Sequence, residues 1–246
     1  MPARTRITTL LTLVAVVGLM PCNPAAAATA GGVSGAVLTG FNFAASTGAP
    51  AVVAWENFNG ADGTNINGTT TDDGAKTWAV NPAGGSWTIL TNAARSTSAN
   101  TSLVIDGGSP NGSAVVTLNR NGATTFDAGL TINRNAAGTQ FLTAEWTNAS
   151  NGSLQLWSFN GGWTNLASVT NLYPGGIGTA PASITLTLTS SSANVVTAFI
   201  NGTSVVSTTL SAANITTFKN ATHQLAGPYQ WTSNGIGWDN FHFDNP

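Results

Sequence analysis

The chain reads as an all-β protein, an antiparallel β-sandwich of the jelly-roll type with two curved sheets. Three observations predict this. Apolar and polar residues alternate with period two over short runs, most clearly where Ile184, Leu186 and Leu188 are interleaved with Thr185, Thr187 and Thr189. Such alternation builds a strand with one buried and one solvent face, and branched Thr suits the outer face. Asn- and Gly-rich turns separate the runs at short intervals. Helical periodicity is nearly absent, and Leu210 to Phe218 is the one stretch that suits a short helix. Many short strands with polar turns and no helices point to a sandwich.

The elements follow in chain order. Arg4 and Arg6, the apolar run from Ile7 to Met20 and the Ala-rich stretch near Ala28 predict a secretory signal peptide over 1–28. The apolar run is too short to span a bilayer. Residues 29–50 are rich in Gly, Ala, Ser and Thr and read as a flexible lead-in, and the sandwich domain is expected over 51–246. Candidate strands are Lys76–Val80, Ser86–Thr91, Ser102–Asp106, Ser113–Asn119, Ala128–Arg134 and Gln140–Thr147. Leu154–Phe159 and Trp163–Val169 flank Asn160-Gly161-Gly162 as a hairpin. Phe199 to Val205 folds back at Asn201-Gly202, a pair that tolerates the positive φ of a tight turn. The two ends match: Trp55-Glu56-Asn57-Phe58 near the start and Trp238-Asp239-Asn240-Phe241 near the end each alternate around an acidic residue. They are expected to lie side by side.

Composition limits function. Of the 246 residues only 7% are charged, against a usual value of about 25%. The surface is therefore built from Thr, Ser, Asn and Gly. No basic patch exists to hold nucleic acid. Cys22, the single cysteine, lies in the signal region, so the mature chain has no disulfide. The expected location is extracellular, with no membrane segment left after cleavage.

The order of these pieces resembles the concanavalin A-like lectin/glucanase superfamily, in its laminin-G-like bacterial branch. Four stretches carry the resemblance. The first is Glu56-Asn57-Phe58-Asn59-Gly60-Ala61-Asp62-Gly63-Thr64, followed by Trp78 and Gly85-Ser86-Trp87-Thr88-Ile89. The second is Asp127-Ala128-Gly129-Leu130-Thr131-Ile132-Asn133-Arg134, running on to Gln140–Trp146. The third is Leu154-Gln155-Leu156-Trp157 with Gly162-Trp163-Thr164-Asn165. The fourth runs from Leu186 through Phe199-Ile200-Asn201-Gly202 to Trp238-Asp239-Asn240-Phe241. One departure is the stretch Ala221 to Asn234, with Pro228-Tyr229-Gln230-Trp231, where the family has a short Gly-rich strand.

The resemblance implies a structural Ca²⁺ tying the first strand to the last, with Glu56 and Asp239 as the matching carboxylates and a carbonyl near Gly84–Gly85. Calcium takes six to eight oxygen ligands, many of them backbone or water. The resemblance does not extend to the Glu-x-Asp-x-x-Glu strand of the glucanases, which is absent here. Glu145 has no acidic partner two residues away, and acid–base work on a glycoside needs two groups. The expectation is therefore no enzyme.

The eight tryptophans then carry the functional reading. Trp55, Trp78, Trp87, Trp146 and Trp238 sit within strands and are core candidates. Trp157, Trp163 and Trp231 sit near Asn-rich hairpin or loop positions. Sugar rings stack on aromatic faces while Asn, Gln and Asp take the hydroxyls. The expectation is a secreted, non-catalytic domain that binds a polysaccharide or cell-surface glycan through these three residues. Two alternatives stand beside it. One is a coat or filament subunit that self-assembles through its Thr-rich strands. The other is a glycoside hydrolase with an atypical site at Glu145.

Overall fold

A computed structural model describes residues 51–82, 84–232 and 235–245. The expected signal peptide over 1–28 and lead-in over 29–50 lie outside the described residues. In chain order the strands are β1 (Ala51–Glu56), β2 (Ala79–Asn81), β3 (Trp87–Ile89), β4 (Ala94–Ser96), β5 (Thr101–Asp106), β6 (Gly112–Asn119), β7 (Asp127–Arg134) and β8 (Gln140–Thr147). There follow β9 (Ser153–Asn160), β10 (Trp163–Thr170), β11 (Ser183–Ser190), β12 (Val195–Ile200), β13 (Thr203–Thr209), α1 (Ala212–Phe218), β14 (Leu225–Gln230) and β15 (Gly237–Asn245). Ser211 caps α1, its Oγ accepting the Asn214 N–H.

These strands form two antiparallel sheets in a jelly-roll-like sandwich. The eight-stranded sheet runs β13-β12-β11-β6-β15-β4-β3, with β1 also paired to β15. The seven-stranded sheet runs β10-β9-β8-β7-β14-β5-β2. Period-two alternation produces the core between them. On β11 Ile184, Leu186 and Leu188 are buried, with the intervening threonines partly exposed. On the seven-stranded sheet the inward row is Leu130 and Ile132 of β7, Ala144 and Trp146 of β8, and Leu154 and Leu156 of β9. Trp87 and Trp238 meet edge to face at 4.9 Å inside this core. The Trp238 indole N–H donates to the Gly129 carbonyl of the opposite sheet at 3.2 Å.

The chain ends pair as the sequence suggests. Strand β1 lies antiparallel to β15, with Glu56 opposite Phe241 and Trp55 opposite His242. Trp78, Trp87, Trp146 and Trp238 are buried as expected, but Trp55 is 41% exposed. The reason is register: Ala54 and Glu56 take the inward positions of β1, so Trp55 between them points out.

The segment after Ala221, which sequence left without a place, supplies β14 between β7 and β5. A proline inside a central strand is unusual because it removes a ladder hydrogen bond. Here Leu225 and Ala226 pair with β5 and the pairing resumes in the same register at Tyr229 opposite Ser102, while Gly227 and Pro228 lie opposite Thr131 and Leu130 of β7. Gly227 has φ 156°, and a Cβ there would stand 2.0 Å from the Leu103 carbonyl oxygen. The close approach of β14 to β5 thus requires glycine at this position. Among the described residues no helix is long and apolar enough to cross a membrane.

Candidate functional site

The outer face of the seven-stranded sheet carries the residues with unexplained chemistry. Alternation sends Glu145 of β8 to the side opposite its core-facing neighbours Ala144 and Trp146. Register then places its neighbours. Glu145 lies opposite Gln155 on β9, and Thr143 lies opposite Trp157. Asp127, at the start of β7, lies opposite Thr147, two residues along β8 from Glu145. Residues related in this way are diagonal neighbours on one face of a sheet.

These side chains line a cavity of about 330 Å³ whose walls are Asp127, Glu145, Thr147, Gln155, Trp157, Trp163 and Trp231. That volume lies at the lower end of the range for small-ligand pockets. Trp163 is the hub. Its ring meets Trp231 at 4.5 Å, Phe159 at 4.9 Å and Phe141 at 5.4 Å, and Trp157 at 6.3 Å and 88°. The Trp157 indole N–H donates to Gln155 Oε1 at 2.9 Å, and Gln155 Nε2 donates to Ser153 Oγ at 3.0 Å. The polar row is therefore held in place by its own hydrogen bonds. On the far side of Trp163 and Trp231 lies a second cavity of about 400 Å³, lined by Arg134, Phe141, Phe159 and Tyr229. The Arg134 guanidinium is held there over the Phe141 ring at 4.2 Å and donates to Asn81 Oδ1 at 2.9 Å.

Glu145 is only 6% exposed. Among the described residues its Oε1 has no hydrogen-bond partner, and neither does Asp127 Oδ1. Burial without a partner disfavours the charged form of a carboxylate. The Glu145 carboxyl is accordingly pushed up to about 8, by its burial first and by the charge of Asp127 second. Burial raises Asp127 to about 6. Asp127 ionises first, and its charge then acts on a Glu145 that still holds its proton.

The structure brings Trp157, Trp163 and Trp231 to one cavity, although they come from two strands and the segment after β14. Glu145, read from sequence as lacking an acidic partner, faces Asp127 on the adjacent strand. The two are far apart along the chain, and only the β7–β8 hairpin puts them together. Gln155, Phe141, Phe159 and Tyr229 were also absent from the sequence-based site. The one signal for them is period-two register across β8 and β9, which becomes usable once both hairpins are fixed.

Glu56 and Asp239 occupy another part of the molecule. Glu56 Oε1 accepts the Phe58 N–H at 2.9 Å, and Oε2 accepts the Trp78 indole N–H at 3.1 Å. Burial raises the Glu56 carboxyl, Trp78 and Phe58 partly offset this, and Asp72 adds to the rise. Asp239 Oδ1 accepts the Asn240 N–H at 2.7 Å. Among the described residues no group of three or more His, Cys, Asp and Glu side chains gathers as a metal site.

Against known proteins, no protein-family model matches the chain, and no curated protein matches it. Solved structures do. The GH43 BlXynB protein from Bacillus licheniformis superposes with a TM-score of 0.50 at 12% identity, over 77% of this chain and 38% of that one. Carbohydrate binding module CBM66 from Bacillus subtilis matches at 12% identity and TM-score 0.45, over 79% of this chain and 94% of that one. A Bacillus subtilis protein of unknown function with a galectin-like fold matches at 13% identity and TM-score 0.47, over 78% and 98%. At such identities the likeness concerns the fold alone.

Proposed function

We propose that this chain is a secreted, non-catalytic glycan-binding module that takes its ligand on the outer face of the seven-stranded sheet. The supporting observation is the cavity where the partly exposed rings of Trp157, Trp163 and Trp231 converge on Gln155, Asp127 and Glu145. Aromatic planes take the apolar faces of a sugar, and fixed carboxyl and amide groups take its hydroxyls. Trp163, which touches both other tryptophans, is the expected anchor. Trp163→Ala is expected to weaken binding by about 2 kcal/mol or more, roughly 30-fold. Tryptophan fluorescence or calorimetry with a panel of soluble polysaccharides checks this. No response to any glycan in the panel overturns the reading.

A hydrolytic reading rests on the same pair of carboxyls. Two titratable groups with values pushed apart, Glu145 to about 8 and Asp127 to about 6, are the pattern of a general acid beside a base. Release of reducing ends from a bound polysaccharide, abolished in Glu145→Gln, favours hydrolysis. Binding without release favours the module.

Calcium at the junction of β1 and β15 is a separate proposal, motivated by Glu56 and Asp239 on paired strands. A metal bound only by the folded state raises the unfolding temperature. The expected result is a higher Tm with Ca²⁺ than with chelator, lost in Asp239→Ala. Equal Tm values in the two buffers remove the metal from the account.

A further inference from the structure

We propose that the tryptophan-walled cavity is a cage for a cation, and that the glycan it takes carries a protonated amino group, a 2-amino sugar whose nitrogen is not acylated. The proposal rests on the glycan-binding reading and names the substrate class of that site.

The argument starts from what the cavity lacks. Asp127 and Glu145 both line it, yet among the described residues no Lys, Arg or His side chain does. Each carboxyl has one buried oxygen without a partner among the described residues. Such groups are costly to bury, and a fold keeps them only where something compensates. The nearest buried guanidinium, that of Arg134, is on the other side of Trp163 and Trp231 and is already bound to Asn81. It does not supply the missing charge.

The walls supply the second half. Trp157 and Trp231 both stand across the Trp163 ring in edge-to-face geometry, at 88° and 68°. Rings at right angles around a common space present several faces to one guest. The face of an indole attracts cations, and aromatic cages for ammonium groups are built this way. Three indoles and two carboxyls thus line one space, with Thr147, Ala149 and Gln155 completing its walls, and both kinds of group are complementary to a cation. A neutral sugar satisfies the rings and offers hydroxyls to the carboxyls, but brings no countercharge to the Asp127 carboxylate. A uronate or sulfated sugar is repelled by them. An ammonium on the sugar ring satisfies both, because the ring stacks while its nitrogen faces Glu145 and Asp127.

Proton linkage gives a distinctive signature. The titratable groups that bear on Glu145 are Asp127 from β7 and Tyr229 from β14, while β9 faces it with uncharged Gln155. Tyr229 is raised far above its ordinary range and stays neutral. Arg134 bears on Tyr229. A cation in the cage favours ionised carboxyls, so its binding releases protons. Affinity for a permanent cation therefore rises with pH through the values near 6 and near 8 held by Asp127 and Glu145.

The test uses the intact protein and three probes: a β-1,4-linked glucosamine oligomer, its fully N-acetylated counterpart, and tetramethylammonium chloride against sodium chloride. At pH 6.5 the amino oligomer is expected to bind at least about tenfold more tightly than the acetylated one. Glu145→Gln, with folding checked at pH 5, is expected to remove most of that preference while leaving binding of the acetylated oligomer. Tetramethylammonium is expected to bind more tightly from pH 5 to pH 9, and the rise above pH 7 is lost in the variant. Equal affinity for the two oligomers, or an unchanged preference in Glu145→Gln, overturns the cation cage and leaves the glycan reading standing. If neither oligomer nor any polysaccharide of the panel binds, both readings fall, whatever tetramethylammonium does.

Discussion

Replacing Trp238 by Ala is expected to destabilise the protein by about 3–5 kcal/mol, the usual cost of emptying a large aromatic site in a packed core. The ring is fully buried on β15, the strand that pairs with β6 on one side and with β4 and β1 on the other. It touches Trp87 at 4.9 Å, and its N–H reaches across the sandwich to the Gly129 carbonyl. That carbonyl belongs to a residue which permits close approach of β7 to β8, since a Cβ on Gly129 would stand 1.8 Å from the Ala144 oxygen. Truncation therefore opens a cavity and removes a hydrogen bond between the two sheets, two costs that add. For a domain of this size the Tm is expected to fall by roughly 10 °C or more. Trp55→Ala is the control. Trp55 is 41% exposed one strand away, so its removal is expected to change stability by under about 1 kcal/mol. Urea unfolding of both variants checks the pair. Similar losses in the two would mean that β1 and β15 do not pack as described.

The contrast between these tryptophans shows what was legible in the sequence. Strands with strict alternation, such as β11, announced both their conformation and their buried face. The hairpin at Asn201-Gly202 announced itself because those residues hold positive φ of 51° and 77°. Trp55 was misjudged because a short strand near a chain end gives no independent fix on which parity faces inward. Strand β14 was hidden by Pro228, because a proline inside a run argues against a central strand. The site was legible as three tryptophans and no further. Each acquires partners through a different pairing: Trp157 through β8 and β9, Trp163 through the β9–β10 turn, Trp231 through the exit from β14. Asp127 and Glu145 meet only through the β7–β8 register. Local sequence carries the period of a strand, but the identity of its neighbour is a property of the whole sheet.

Glu145→Gln is expected to stabilise the protein, and increasingly so as pH rises. In the unfolded chain this carboxyl releases its proton near its ordinary value of 4.5, whereas in the folded protein it holds the proton up to about 8. Between those values the folded state binds more protons, so stability falls with rising pH by up to about 1.4 kcal/mol per unit. The loss is complete above about pH 8 and amounts to something on the order of 4 kcal/mol. Asp127, raised to about 6, adds to the fall in the lower part of the window. A glutamine of nearly the same shape has no proton to lose. The variant and the parent are therefore expected to melt together near pH 5, and the variant to melt roughly 10 °C higher at pH 9. Thermal unfolding followed across that range decides the matter; parallel profiles would mean that Glu145 is hydrated and ionises normally. The direction of the effect bears on function. A carboxyl expected to weaken the fold at neutral pH, set among three tryptophans with an oxygen that has no partner among the described residues, is expected to be replaced by glutamine at no cost to the sandwich. Stability given up at one position is a common mark of a binding site. The same substitution is expected to strengthen the fold and to weaken capture of an amino sugar, and these opposite signs in one variant separate a ligand-directed carboxyl from a structural one.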